Sequence, residues 1–317
     1  MANESADGKN RAEIQGMVEQ MISADDPHKR SSLATAILGF DPENPAAKYV
    51  TWQELDDEAS MERMDLLYEA IETLRPLIKS HEETVDENDY SLFLSMLSDL
   101  SSFLYFRGEK EKAFDAAQEL VDLDSECYIA GRIVYYSILV ERGEYRKAID
   151  AADADMCETP IAAYCRAIAL YELEGASGEA SDAVIEAISI DPDMAFYITG
   201  MWAFDDEDME GTDDDDGYMD ELMMQSAILS ELWAAADERL AFLSVIVFAF
   251  GYLTGRVEDA EDISMLEDGY KSLSCLDDMS EARDTIQAML ADGKDQADVD
   301  EEALFLFKDM RDRGIFS

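Results

Sequence analysis

The chain has 317 residues, and 48% of them are hydrophobic, which is enough apolar material for a core and excludes global disorder. Its 74 acidic and 24 basic residues give a formal net charge of −50. That charge disfavours binding to a nucleic-acid backbone and to an anionic membrane, so neither partner is expected. A basic partner is compatible with it, although an acidic surface also serves solubility alone.

Few residues of this chain carry catalytic or targeting signals. The N-terminus, MANESADGKN, lacks the apolar stretch of a secretion signal, and the most apolar run, residues 240–253, is too short to cross a bilayer and is predicted to be a buried helix. The four cysteines form no CxxC pair, so reduced thiols and a cytoplasmic location are expected. The two histidines indicate neither a metal cluster nor a general base. We predict a non-enzymatic protein without a cofactor.

Helical periodicity dominates from the N-terminus onward. Residues 1–24 are predicted to be a polar segment with a lead-in helix. In ILGFDPENPAAKY, Asp41-Pro42 ends one helix, because proline disfavours the α conformation of the preceding residue. Trp52 belongs to the helix that follows, and residues 61–78 supply its partner.

A repeat of about 34 residues runs through the middle of the chain. The segments FRGEKEKAFDAA and ERGEYRKAIDAA align with Gly108 and Gly143 35 residues apart, and a third copy carries Gly175. Glycine permits the turn between two helices, an alanine five residues later allows close packing, and Pro192 ends the third copy. Thr159 is predicted to cap the helix that begins at the following proline. The structural repeat positions are Gly108, Ala113, Gly143, Ala148, Gly175, Ala180 and Pro192.

These positions resemble the tetratricopeptide-repeat (TPR) family over residues 25–192, about half of the chain. The layout is also similar to bacterial TPR proteins of the suppressor-of-tumorigenicity-seven-like branch. The resemblance implies an all-α fold, a right-handed α-solenoid of TPR-like helix pairs with a helical C-terminal cap.

Downstream, residues 195–204 and 219–237 are predicted to form a further helix pair. Three weaker helices, residues 263–276, 280–290 and 299–313, are predicted to cap the array. The expected segments are therefore 1–24, 25–93 with divergent helices, 94–194 with three repeats, 195–254 with an acidic insertion at 205–218, and 255–317 as the cap.

The stretch DDEDMEGTDDDDGYMDE could be a calcium loop. With Gly211 at position 6 of an EF-hand, positions 1, 3, 5 and 9 are Asp206, Asp208, Glu210 and Asp214. Position 12 would then be Gly217, and with Gly217 at position 6 it would be Met223, so the closing carboxylate is missing in both registers. We predict a solvated insertion, with those four acids as weak cation candidates only.

The resemblance also implies a concave groove that binds peptides. Its candidate residues are Tyr49, Gln53, Ser98, Ser102, Tyr105, Ile133, Ser137, Cys165 and Ala169. Chaperone-binding TPR domains hold a C-terminal carboxylate with a clamp of basic and amide side chains. The matching positions here lack that clamp, and only Arg132 and Arg166 are near them. A neutral or basic segment is therefore expected rather than an acidic one. We predict a scaffold or adaptor for a protein partner. The alternatives are a peptide or small-ligand receptor and an acidic, cation-responsive or charge-mimic protein.

Overall fold

The computed structural model describes residues 2–55, 60–79, 86–124, 127–204, 218–257 and 276–314. In these residues all regular secondary structure is helical, which confirms the all-α class. The chain divides into a first unit, Met1–Tyr135, and a second unit, Tyr136–Ser317, with the boundary inside one helix.

The first unit is built from helices that pack against their neighbours along the chain. They are α1 (Ala2–Ile22), α2 (Pro27–Phe40), α3 (Pro45–Glu54), α4 (Ser60–Lys79), α5 (Glu87–Phe106), α6 (Lys110–Leu123) and the start of α7 (Ile129–Glu141). Sequence signals set several ends: α2 stops before Asp41-Pro42 as predicted, and Asn44 caps α3 by accepting a hydrogen bond from the Ala47 N–H at 3.1 Å.

The second unit contains α8 (Tyr145–Ala154), α9 (Pro160–Glu174), α10 (Gly178–Ile190), α11 (Met194–Ile198), α12 (Tyr218–Ala234), α13 (Asp237–Thr254), α14 (Leu276–Ala291) and α15 (Gln296–Asp312). Helix α13 carries the apolar run and is buried along much of its length, as predicted. Helix α15 packs against α10 and α13. No helix among the described residues is long and apolar enough to cross a membrane.

The glycine turns of the repeat form as predicted. Gly108 and Gly143 have φ values of 77° and 68°, in the left-handed region. In both turns the glycine N–H donates to the carbonyl three residues earlier, and the next N–H donates to the carbonyl five residues earlier, all at 2.9 Å. This pair of bonds is the Schellman motif, so the α5–α6 and α7–α8 connections share one backbone geometry.

The other repeat positions also behave as expected. Ala113, Ala148 and Ala180 are all fully buried, as close packing of a second helix requires. Helix α10 ends one residue before Asp191, whose extended backbone precedes Pro192.

Two local expectations are wrong, and a third is met only in part. Helix α11 ends at Ile198 rather than at residue 204, because Gly200, at φ 71°, closes it with the same pair of turn bonds. Thr159 is the N-cap residue of α9 and Pro160 its first residue, as predicted, but the Thr159 side chain makes no capping hydrogen bond. Cys127 and Cys157 are each disulfide-bonded rather than reduced; the expectation rested on the missing CxxC spacing, which does not test for bonds between cysteines far apart in sequence.

Candidate functional site

A pocket of about 500 Å3 lies in the first unit among α3, α4 and the C-terminal end of α5. Its volume is within the range of small-ligand sites. The lining residues combine aromatic rings with charged groups, and they are Trp52, Arg63, Asp99, Ser102, Phe103, Phe106 and Arg107.

The spacing of residues on α5 builds one wall of this first-unit pocket. Asp99, Phe103 and Phe106 are separated by four and three residues, which places them on one side of the helix. The side chain of Phe106, the last residue of α5, is exposed, while Arg107 caps the helix and places its guanidinium 5.5 Å from the Phe103 ring centroid. Helix α5 therefore supplies both apolar surface and charge.

Stacked planar groups on α3 and α4 form another part of the site. The Trp52 ring stacks on Tyr49 of the same helix, with centroids 5.6 Å apart. On α4, the guanidinium of Arg63 lies 5.1 Å from the Trp52 centroid and 5.5 Å from the Phe103 centroid. Cation–π contacts of this kind hold Arg63 between α3 and α5.

The indole of Trp52 carries a donor that the surrounding protein does not satisfy. The residue is 7% exposed, and its Nε1 makes no hydrogen bond to any described residue. A buried donor without an acceptor costs about 1–3 kcal/mol, so this indole N–H lowers the stability of the wall to which Trp52 belongs.

Asp99 is fixed from behind by Tyr49, whose hydroxyl donates to Asp99 Oδ2 at 2.5 Å. Burial raises the pKa of the Asp99 carboxyl, and the hydrogen bond from Tyr49 and the charge of Arg63 offset this only in part. Burial also raises the pKa of the Tyr49 hydroxyl, which stays protonated and keeps donating. The carboxylate is thus held in place on the pocket wall.

The predicted groove residues divide into two groups. Ser102 lines the pocket, Tyr49 supports it, Tyr105 is half-buried beside it on α5, and Gln53 is exposed and accepts a hydrogen bond from Arg30. The other five are buried and present no surface to a peptide: Ser98, Ile133, Ser137, Cys165 and Ala169. The repeat pattern identifies the helices, but it does not say which side of each is covered by its neighbours.

The lining residues that the sequence did not identify as a site are Trp52, Arg63, Asp99, Phe103, Phe106 and Arg107. One signal was present: Asp99 is the only charged residue between Asp89 and Arg107, and Phe103 and Phe106 follow it at helical spacing. The position of Arg63 could not be inferred, because its contacts are to two other helices.

The two arginines considered from sequence are structural. Arg132 forms a buried ion pair with Asp124, at the end of α6. Arg166 pairs with Asp153 at 2.7 Å and with Glu186 at 3.4 Å.

A smaller pocket, of about 380 Å3, lies between α8 and α9 in the second unit. Its charged lining is Arg146 with Asp150 and Glu174, so acids outnumber bases. The first-unit pocket has the reverse balance, two arginines to one acid.

The described residues hold no cluster of metal-ligating side chains, and the cation candidates Asp206, Asp208, Glu210 and Asp214 fall outside that part of the chain. Burial raises the pKa of the Cys165 thiol, which disfavours a nucleophilic thiolate there. The first-unit pocket is therefore the candidate site with the most converging chemistry.

Compared with family models, with curated proteins and with solved structures, the chain matches none.

Proposed function

We propose that the protein is a non-enzymatic, TPR-like adaptor that binds a segment of another protein, with the first-unit pocket holding one anchor side chain of that segment. The observation that carries the proposal is the pocket itself: aromatic and guanidinium groups from α3, α4 and α5 converge on one concavity. Aromatic and arginine side chains dominate the energetics of protein recognition, which supports a binding role. The proposal assigns no reaction and no cofactor.

The exposed ring of Phe106 supports an open rather than a sealed site. Phe106 is 66% exposed, so a partner that covers it removes apolar surface from water. A segment that is neutral or basic overall remains the expected ligand, since the chain as a whole carries a charge of −50. The one group of that segment held in the pocket meets two arginines and one acid. A cytoplasmic location stays a prediction; the disulfide-bonded Cys127 and Cys157 instead favour an oxidising compartment.

The test uses peptides selected against the full-length protein from a random displayed library. We expect Phe106→Asp to weaken the selected peptides by at least about tenfold, because truncating a binding hot spot typically costs about 2 kcal/mol or more. Phe305→Asp is the matched control, since Phe305 is 63% exposed on α15 of the second unit and the change adds the same charge. Fluorescence polarisation gives the affinities, and equal binding by the two variants would place the peptide site elsewhere.

A compact-ligand receptor is the second candidate, favoured by a pocket volume that a small molecule would fill. The same selection separates the two functions. A receptor for a compact ligand yields no peptide whose binding depends on Phe106.

A further inference from the structure

Positive charge is concentrated in the first-unit pocket of a strongly acidic chain. Arg107 is exposed, and the carboxylate that pairs with it, Glu109, lies 3.7 Å away, beyond hydrogen-bond length. Glu109 already accepts a hydrogen bond from Lys112 Nζ at 2.7 Å. The guanidinium of Arg107 therefore keeps donors for a ligand.

Trp52 supplies a second donor of different origin. Its indole N–H is buried on the pocket wall with no acceptor among the described residues. An ionised carboxylate is an acceptor at both oxygens, so one carboxylate can take a bond from the indole and another from a guanidinium.

The rest of the wall is suited to an apolar body. Phe103 and Phe106 present rings beside the arginines, and Phe106 is largely exposed. An aromatic or aliphatic group attached to the carboxylate would cover these rings and remove their surface from water.

Asp99 restricts the charge of the ligand. Its carboxylate is fixed in the wall by the Tyr49 hydroxyl, so it does not turn away when an anion enters. A ligand with two negative charges meets more repulsion from Asp99 than a ligand with one. Asp99 thus offsets part of the attraction that the two arginines exert on an anionic ligand.

From these contacts we propose that the first-unit pocket binds a small monocarboxylate carried on an aromatic or aliphatic body. The inference deepens the proposed function by assigning ligand chemistry to the same pocket. It rests on that pocket being a binding site, and not on the ligand being part of a protein.

The experiment titrates the full-length, 15N-labelled protein with phenylacetate, phenylacetamide and phenethylammonium at constant ionic strength. The chain has three tryptophans, and Trp52→Phe identifies which indole N–H cross-peak belongs to Trp52. We expect a saturable shift of that peak with phenylacetate, at a Kd at least about tenfold below that for phenylacetamide, because charge-assisted hydrogen bonds are the stronger ones. Phenethylammonium should give no saturable shift of the Trp52 indole N–H cross-peak.

Arg107→Gln should weaken phenylacetate by about tenfold and leave phenylacetamide unchanged, since the lost interaction is with charge. Arg146→Gln, an exposed arginine of the second-unit pocket, is the control and should change neither.

Equal affinities for the acid and the amide, or a Trp52 signal that phenylacetate leaves unmoved, would overturn the inference. Selected peptides that depend on Phe106 would then still support the adaptor. Phenylacetate binding at Trp52 without any such peptide would instead support the small-ligand site against the adaptor.

Discussion

Tyr49 and Asp99 show at the scale of single residues how the pocket wall is fixed. The hydroxyl of Tyr49 on α3 donates to the carboxylate of Asp99 on α5 at 2.5 Å. The bond thereby joins two helices through residues that are fifty positions apart in sequence. The bond does not fully compensate the burial, because the pKa of Asp99 remains raised. Asp99 in its charged form therefore lowers the stability of the folded state.

Asp99→Asn is predicted to increase stability near neutral pH. The folded pKa of Asp99 lies above its unfolded value of about 3.9, so between those values the native state binds more protons than the unfolded state. Its contribution to the free energy of unfolding consequently falls as pH rises through that window. Urea unfolding at a series of pH values should show the advantage of the asparagine variant at pH 7 and its loss as the pH falls below about 4.

Asp182 provides a control, because its pKa is shifted in the opposite direction from that of Asp99. Burial acts to raise the pKa of its carboxyl, but hydrogen bonds from Lys308 and Arg311 outweigh that effect and the pKa is lowered. Asp182 therefore contributes stability that is present above the unfolded pKa and lost as pH falls through the folded pKa. Asp182→Asn should reduce stability at pH 7, and a shift of the same sign for both variants would contradict the assignment.

At the scale of elements, an ion-pair network joins the end of α13 to α15 in the second unit. Arg256 binds Asp300 through two parallel contacts, Nη1–Oδ1 at 2.6 Å and Nη2–Oδ2 at 2.9 Å. Its Nε also donates to Asp193, beside α11, at 3.0 Å. Asp300 is buried, so the pair determines how α15 packs.

Arg256→Met is predicted to lower the free energy of unfolding of the second unit by about 3 kcal/mol, the low end of the range for breaking a buried ion pair. The loss arises because Asp300 keeps its charge and retains only Gln296 as a side-chain donor among the described residues. Arg313→Met removes the same charge from an exposed site and should cost less than about 1 kcal/mol. Adding Asp300→Leu to Arg256→Met should recover stability, measured by urea unfolding; no recovery would show that the arginine acts by packing alone.

The elements were more predictable than the site. Backbone requirements are local, so the glycines at 108 and 143 and the Asp-Pro pairs indicated turns and helix ends that the structure contains. The predicted length of helix α11 was too great, because the glycine at position 200, which closes the helix, was taken as part of it. The pocket depends on contacts such as that between Arg63 and Trp52, which join different helices and leave no periodic signal in the sequence.

At the scale of the whole molecule, charge is the dominant feature. The acids outnumber the bases by 74 to 24, so even if every base were paired, fifty acids would remain without a basic partner. Many of the ion pairs in the described residues are at exposed positions, where each adds little. We therefore expect repulsion among the surplus carboxylates to outweigh local attraction and to oppose the compact state.

Added salt is consequently predicted to stabilise this protein. The Debye length shortens from about 10 Å at 0.1 M ionic strength to about 3 Å at 1 M, which screens repulsion between distant carboxylates more than it weakens contacts within buried pairs. We expect the thermal midpoint to rise by several degrees from low salt to 1 M NaCl, with most of the rise at the lower concentrations. Sodium chloride and sodium sulfate compared at equal, low ionic strength should give the same midpoint, because screening depends on ionic strength and not on the anion. If the thermal midpoint instead stays constant or decreases as NaCl is raised from low salt to 0.5 M, the attractive pairs, and not the surplus of carboxylates, control the electrostatics of the fold.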